Sequence, residues 1–193
     1  MNTSRMEAFS DGVLAIVITI MVLEMKVPHE SDWHALAPLL PVFGSYVMSF
    51  IYLGIYWNNH HHLLHATDNI SGKALWANLH LLFWLSLIPF VTGWMGENEF
   101  APLPTALYGV VLLLAGVAWK IFQSVLVSSE MKNERLKKAI GRDWKWWLSK
   151  ALYVTGIGFA FVLPWAAIIL YVAVAIIWFV PDRRFEKAVN FDQ

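Results

Sequence analysis

Few side chains in this sequence have the type and spacing that chemistry requires. Histidine is the densest candidate: four of the seven lie in the run His60-His61-His62-Leu-Leu-His65, and the rest are His29, His34 and His80. On a helix His61 and His65 would share one face at i, i+4, a geometry that a metal accepts. Membrane di-iron enzymes need several histidine boxes, and the remaining histidines do not supply them. Helix-end histidines meeting solvent are the plainer reading, so no metal site and no cofactor is assigned. Cysteine is absent, which removes disulfides, thiolate metal centres and cysteine nucleophiles. No serine sits in a nucleophile elbow, and there is neither an H-E-x-x-H pair nor a phosphate-cradling glycine loop. The sequence does not read as an enzyme.

The second set of candidates lies in the first hydrophobic stretch, from Arg5, Phe9, Ser10, Asp11 and Gly12 into the apolar run that ends at Leu23-Glu24-Met25-Lys26-Val27-Pro28. From Ser4 to Val27 is about 24 residues, or roughly 36 Å of helix, enough to cross a bilayer core. Asp11 lies in its first turns, where lipid penalises a bare charge by about 2.5–3.5 kcal/mol. Thr19 is the single hydroxyl in the middle of the run. At helical pitch Ile16, Thr19, Ile20 and Leu23 share a face. Such a stripe either packs on a neighbouring helix or surrounds an aqueous path.

The elements that must position these residues are helices in a membrane. The chain has 193 residues and is 58% hydrophobic, with a mean hydropathy of +0.53, above the 45–50% apolar content usual for soluble domains. Its eleven tryptophans suit the aromatic belts of bilayer interfaces. The first stretch is too long and carries an acid, so it does not read as a cleavable signal. Six spans are expected in one domain over 1–193, at about 4–27, 36–57, 74–95, 105–127, 147–163 and 165–180. Pro164 divides the last apolar block, which as one helix would overshoot the core. Pro89 and Thr155-Gly156-Ile157-Gly158 mark possible helix interruptions.

Charge sets the orientation. Arg5, Lys73, the stretch from Lys132 to Lys150 and the tail with Arg183, Arg184 and Lys187 would lie on one side. The loops holding Glu30, Asp32, Glu97 and Glu99 would lie on the other. That alternation puts both termini in the cytoplasm. The basic stretch, rich in Trp144, Trp146 and Trp147, reads either as a connector at the headgroups or as a solvated loop. The formal net charge is +0, and no nucleic-acid partner is expected. Among transport classes, the regular arginines of a voltage sensor and the T-V-G-Y-G filter are both missing. Mid-depth acids for ion coupling are missing too, which leaves a small secondary transporter or facilitator as the alternative to a channel.

The pattern Arg5-x-x-x-Phe9-Ser10-Asp11-Gly12, with the helix ending at Pro28, resembles the signature of the transmembrane-protein-175 potassium channels. The resemblance extends to Trp57-x-x-His60, Asn78 and Pro89-Phe90. It implies an all-α channel with no pore loop, six transmembrane helices per subunit, and a homotetramer whose first helices line a central path for K+. Ile16, Thr19 and Leu23 would form the constriction and hydrophobic gate, with Ile20 and Gly12 as further lining. Selectivity for K+ would be modest, and proton conduction is the other reading. Arg5, Phe9, Ser10 and Asp11 would take a structural role with Trp57, His60 and Asn78. A single repeat without cysteine or targeting segment is expected in a prokaryotic plasma membrane, with lipid, K+ and copies of itself as partners.

Overall fold

The computed structural model describes residues 3–67, 70–129 and 144–179. Asp68, Asn69, the charges Lys132, Arg135, Lys137, Lys138 and Arg142, and the tail with Arg183, Arg184 and Lys187 lie outside the described residues. All regular structure among the described residues is helical. Helix α1 spans Thr3–Leu23, α2 Leu40–His65, α3 Gly72–Ser86, α4 Ile88–Glu97, α5 Pro102–Ser129, α6 Trp144–Ala160 and α7 Pro164–Phe179. A 3-10 turn, Trp33–Leu39, leads into α2.

Several boundaries differ from the sequence expectation, each for a local reason. Helix α1 stops at Leu23 rather than near Val27. The N–H groups of Glu24 and Met25 turn back to the Met21 and Val22 carbonyls at 3.4 and 3.2 Å, and Pro28 disfavours helix at the residue before it. Helix α2 begins later than expected because Asp32 caps the 3-10 turn, accepting from the Ala35 N–H at 3.0 Å. It also runs past residue 57 to His65. The polar run contains no helix breaker, and its Asn59, His60, Leu63 and Leu64 are buried. The third expected span is broken into α3 and α4. Pro89 has no N–H to donate and crowds the Leu85 carbonyl. The Thr155–Gly158 segment is no interruption, since it lies inside α6. Gly156 is there for space: a Cβ would stand 2.6 Å from the Tyr171 ring. The division at Pro164 is present, with α6 beginning at Trp144 rather than residue 147.

Among the described residues, four stretches are long and apolar enough to cross a membrane: Thr3–Leu23, Trp33–His65, Gly72–Glu97 and Pro102–Ser128. Helices α6 and α7 pair with each other and dock on α5, with α7 also touching α2. Helix α5 packs on α3 and α4, and α2 on α4. The core between them holds Tyr108, Leu112 and Phe122 of α5, Leu53 of α2, Ile88 and Met95 of α4, and Tyr171 of α7.

Most polar groups in that core are paired, as a low-dielectric interior favours, though among the described residues Thr105 Oγ1 and His60 Nδ1 are buried without a hydrogen-bond partner. The Ser49 hydroxyl meets Thr92 Oγ1 at 2.7 Å and the Tyr108 hydroxyl at 3.0 Å. Tyr52 donates to the Tyr171 carbonyl at 2.5 Å and accepts from Tyr153 at 3.2 Å. Close backbone approach is visible at Gly96, where a Cβ would lie 2.7 Å from Val42 Cα. Small residues allow such approach between membrane helices. The outer surface is apolar over a wide area, with Phe43, Phe50, Ile169, Ile176 and Phe179 all exposed. Surface of that extent is matched by lipid or by other subunits.

Candidate pore-lining face

Helix α1 carries two faces of different fate. Met6, Ser10, Leu14, Val17 and Met21 are buried against α2, α3 and α4. At about 100° per residue these five fall within an arc of about 80°. Gly12, Ile16, Thr19, Ile20 and Leu23 fall within an arc of about 100° centred roughly 140° away. All five are exposed, Ile16 at 59% and Leu23 at 77%. The chain therefore buries one side of α1, and among the described residues the Ile16-Thr19-Leu23 side has no packing partner. Phe9 lies on the exposed side as well.

Thr19 bonds to its own helix. Its Oγ1 lies 2.9 Å from the Ala15 carbonyl and 3.0 Å from that of Ile16, so its one proton is shared between those two acceptors. Oγ1 keeps acceptor capacity on the exposed side of the helix. Above and below stand the aliphatic side chains of Ile16 and Leu23, about 4.5 Å and 6 Å away along the axis at 1.5 Å rise per residue.

The N-terminal end of α1 is anchored on its buried side by a directed hydrogen-bond chain. The Met6 carbonyl can only accept, so the Ser10 hydroxyl donates to it, at 2.8 Å. Ser10 Oγ then accepts from Asn78 Nδ2 at 2.9 Å. That turns the Asn78 amide oxygen towards His60 Nε2, also at 2.9 Å. An amide oxygen only accepts, so His60 carries its hydrogen on Nε2. The opposite nitrogen, Nδ1, is buried without a partner among the described residues, and the ring lies flat on Phe122 with centroids 5.3 Å apart. Three helices, α1, α2 and α3, are joined by this chain.

A second contact ties Asp11 to α2. The Trp57 indole N–H donates to its carboxylate at 3.1 Å. Ser10, Asn78 and His60 are thus brought into one chain, and Asp11 and Trp57 into a second contact. Arg5 joins neither: it is exposed and makes no ion pair or hydrogen bond with another described residue. Gly12 has open space where a Cβ would stand. At the far end, Lys26 pairs with Glu97 at 3.0 Å, and the Glu24 side chain lies against Gly93 of α4.

Glu7 was missed from the sequence. Its carboxylate lies 2.7 Å from His61 Nδ1 and 3.9 Å from His65 Nε2. Nothing local signals this, because 54 residues separate Glu7 from His61.

A family model described as endosomal/lysosomal potassium channel TMEM175 matches residues 5–89. A protein of Chryseobacterium sp. (strain P1-3) named as a potassium channel is 52% identical over 190 residues, covering 98% of this chain and 99% of that one. The Homo sapiens endosomal/lysosomal proton channel TMEM175 is 35% identical over 96 residues, 43% of this chain and 19% of the human protein. The crystal structure of a lysosomal potassium-selective channel TMEM175 homolog from Chamaesiphon minutus superposes with a TM-score of 0.81 at 23% identity, covering 93% of this chain and 97% of that one. At that identity the superposition speaks to the fold. With near-complete coverage by a relative at 52% identity, this chain belongs to the TMEM175 family of multi-pass membrane cation channels, which are not enzymes.

Proposed function

We propose that this chain forms a potassium-conducting channel in which four copies of α1 surround a common axis. The observation that carries the reading is the unpartnered side of α1, where Ile16 and Leu23 flank a threonine whose proton is already committed to backbone carbonyls. Facing an axis, four such sides would make two aliphatic rings with a hydroxyl ring between them. Narrow apolar rings expel water and so close the path without a moving plug. The Thr19 oxygens would replace part of the hydration shell of a passing ion. Potassium gives up water at lower cost than sodium, so a weakly polar, narrow site favours K+. Few oxygens are supplied, which makes the preference modest compared with a carbonyl-lined filter. Gly12 and Ile20 would complete the lining.

The Ser10-Asn78-His60 chain and the Asp11-Trp57 contact then serve as fixtures. They hold the first turns of α1 against α2 and α3 while its other side is free to meet neighbouring subunits. Glu24 would add negative charge at the far mouth and raise local cation concentration. The chain would work in a prokaryotic plasma membrane with both termini in the cytoplasm, as the distribution of Lys and Arg favours.

The deciding experiment is a planar-bilayer recording from purified protein, with K+ and Na+ on opposite sides. Discrete currents that reverse towards the K+ potential support the reading, and Thr19→Ala should move the reversal towards zero. Slow saturable flux without unitary steps would instead indicate a carrier. A second reading, proton conduction, is favoured by the name of the human relative. A proton gradient in the same recording separates the two, since a proton path would follow pH and ignore K+.

A further inference from the structure

We propose that Glu7, His61 and His65 form a divalent-metal site of the zinc class that staples α1 to α2. The proposal does not depend on what the channel conducts. The ligand atoms of the three residues all lie within 4.8 Å of one another. Tetrahedral zinc with bonds of about 2.0–2.1 Å spaces its ligand atoms about 3.3 Å apart. The Glu7 oxygen stands 2.7 Å from His61 Nδ1 and 3.9 Å from His65 Nε2, distances that bracket this value. Small side-chain rotations would make both contacts equal. The two imidazoles are 4.3 Å apart and inclined at 61°, so they converge on the carboxylate rather than stack face to face.

The site is built on rigid elements. His61 and His65 sit one turn apart near the end of α2, where the buried Leu63 and Leu64 between them fix the helix. Glu7 follows the buried Met6 and precedes the buried Ser10 on α1. None of the three ligand side chains is buried, so an ion has an open path and water can take the fourth position. Two imidazole nitrogens and one carboxylate oxygen suit zinc with an open coordination place. They suit calcium and magnesium poorly, because those ions prefer all-oxygen sites. Copper(II) would bind the same set by general affinity order. Without a metal, the trio is an exposed carboxylate-histidine pair of small energetic weight.

The test uses the full chain in detergent, stripped of metal, titrated with zinc chloride by calorimetry. About one ion per subunit is expected. His61→Ala and His65→Ala should each weaken binding roughly tenfold or more, and Glu7→Gln should do so as well. His62→Ala and His29→Ala should bind as wild type. Bound cobalt(II) should give the intense visible absorption of a tetrahedral ion in wild type and lose it in His61→Ala. Zinc should also raise the thermal midpoint of wild type and His62→Ala but not of His61→Ala. Absence of stoichiometric binding to wild type overturns the proposal, as does undiminished binding to the doubly substituted His61→Ala/His65→Ala protein. Loss of binding in the histidine variants with Glu7→Gln unchanged overturns the staple, because the ion would then sit on α2 alone.

Discussion

His60 and Asn78 face each other across α2 and α3, with the imidazole Nε2–H directed at the amide oxygen at 2.9 Å. The pair reaches α1 because the other end of the same amide donates to Ser10. One asparagine therefore sets both the histidine tautomer and the seat of α1. Replacing it by leucine removes two interhelical bonds and strands the His60 Nε2–H in an apolar interior. Interhelical hydrogen bonds in membranes contribute about 0.6–1.7 kcal/mol each. Asn78→Leu is expected to cost about 1–3 kcal/mol, read as a lowered midpoint in thermal or SDS unfolding of the purified protein. A midpoint equal to wild type would show that the chain carries no stability.

The exposed side of α1 should separate conduction from folding. Ile16 and Thr19 touch little within the subunit, so Ile16→Ala and Thr19→Ala should alter subunit stability by less than about 0.5 kcal/mol. Ile16→Ala should nonetheless increase K+ efflux from potassium-loaded liposomes, by shortening an apolar ring. Unchanged flux in Ile16→Ala would move the path away from α1.

Glycines should divide by what surrounds them. A Cβ at Gly109 or Gly156 would strike the buried ring of Tyr171, and overpacking of this kind costs about 1–3 kcal/mol. Gly158, in the same helix as Gly156, has open space. Gly158→Ala should gain about 0.5–1 kcal/mol from helix propensity. Unfolding midpoints of Gly156→Ala and Gly158→Ala should therefore move in opposite directions.

The two peripheral contacts of α1 should prove unequal. Lys26 and Glu97 are an exposed pair, and such pairs contribute about 0–1 kcal/mol and weaken with salt. Lys26→Ala is expected to leave the unfolding midpoint unchanged at physiological ionic strength. Trp57→Phe removes the donor to Asp11 while keeping most of the ring, and a hydrogen bond to a charged group is worth about 1.5–3 kcal/mol at most. A small but measurable drop is expected, and Asp11→Asn should reproduce it. If Lys26→Ala proves the more damaging of the two, the far end of α1 is the anchored one.

Much of the molecule is legible without coordinates. Long apolar runs have one low-energy solution in a bilayer, the helix, because each backbone group must be satisfied within its own segment. The helical character of the apolar stretches therefore follows from composition, and the division at Pro164 follows from the missing N–H of proline. The face shared by Ile16, Thr19, Ile20 and Leu23 follows from helical pitch alone, and the structure adds that this face is the unburied one. The extent of α2 was not legible, because a run of asparagine and histidine looks like a helix end until burial of Asn59 and His60 shows otherwise. Gly156 looked like a weak point for the converse reason. A glycine that loosens an isolated helix can be the residue that lets a neighbouring tyrosine close upon it.

Sequence alone determined the class of molecule, an all-helical membrane chain, and the residues that could share a side of each helix. Those depend on local physics, hydropathy and backbone geometry, which act over a turn or a span. Only the tertiary structure decided that Ser10, Asn78 and His60 form one directed chain, that Arg5 stays outside it, and that Glu7 meets His61 and His65. These are contacts between helices distant along the chain. No rule of spacing encodes them, because they arise only when packing brings particular turns of separate helices to the same depth.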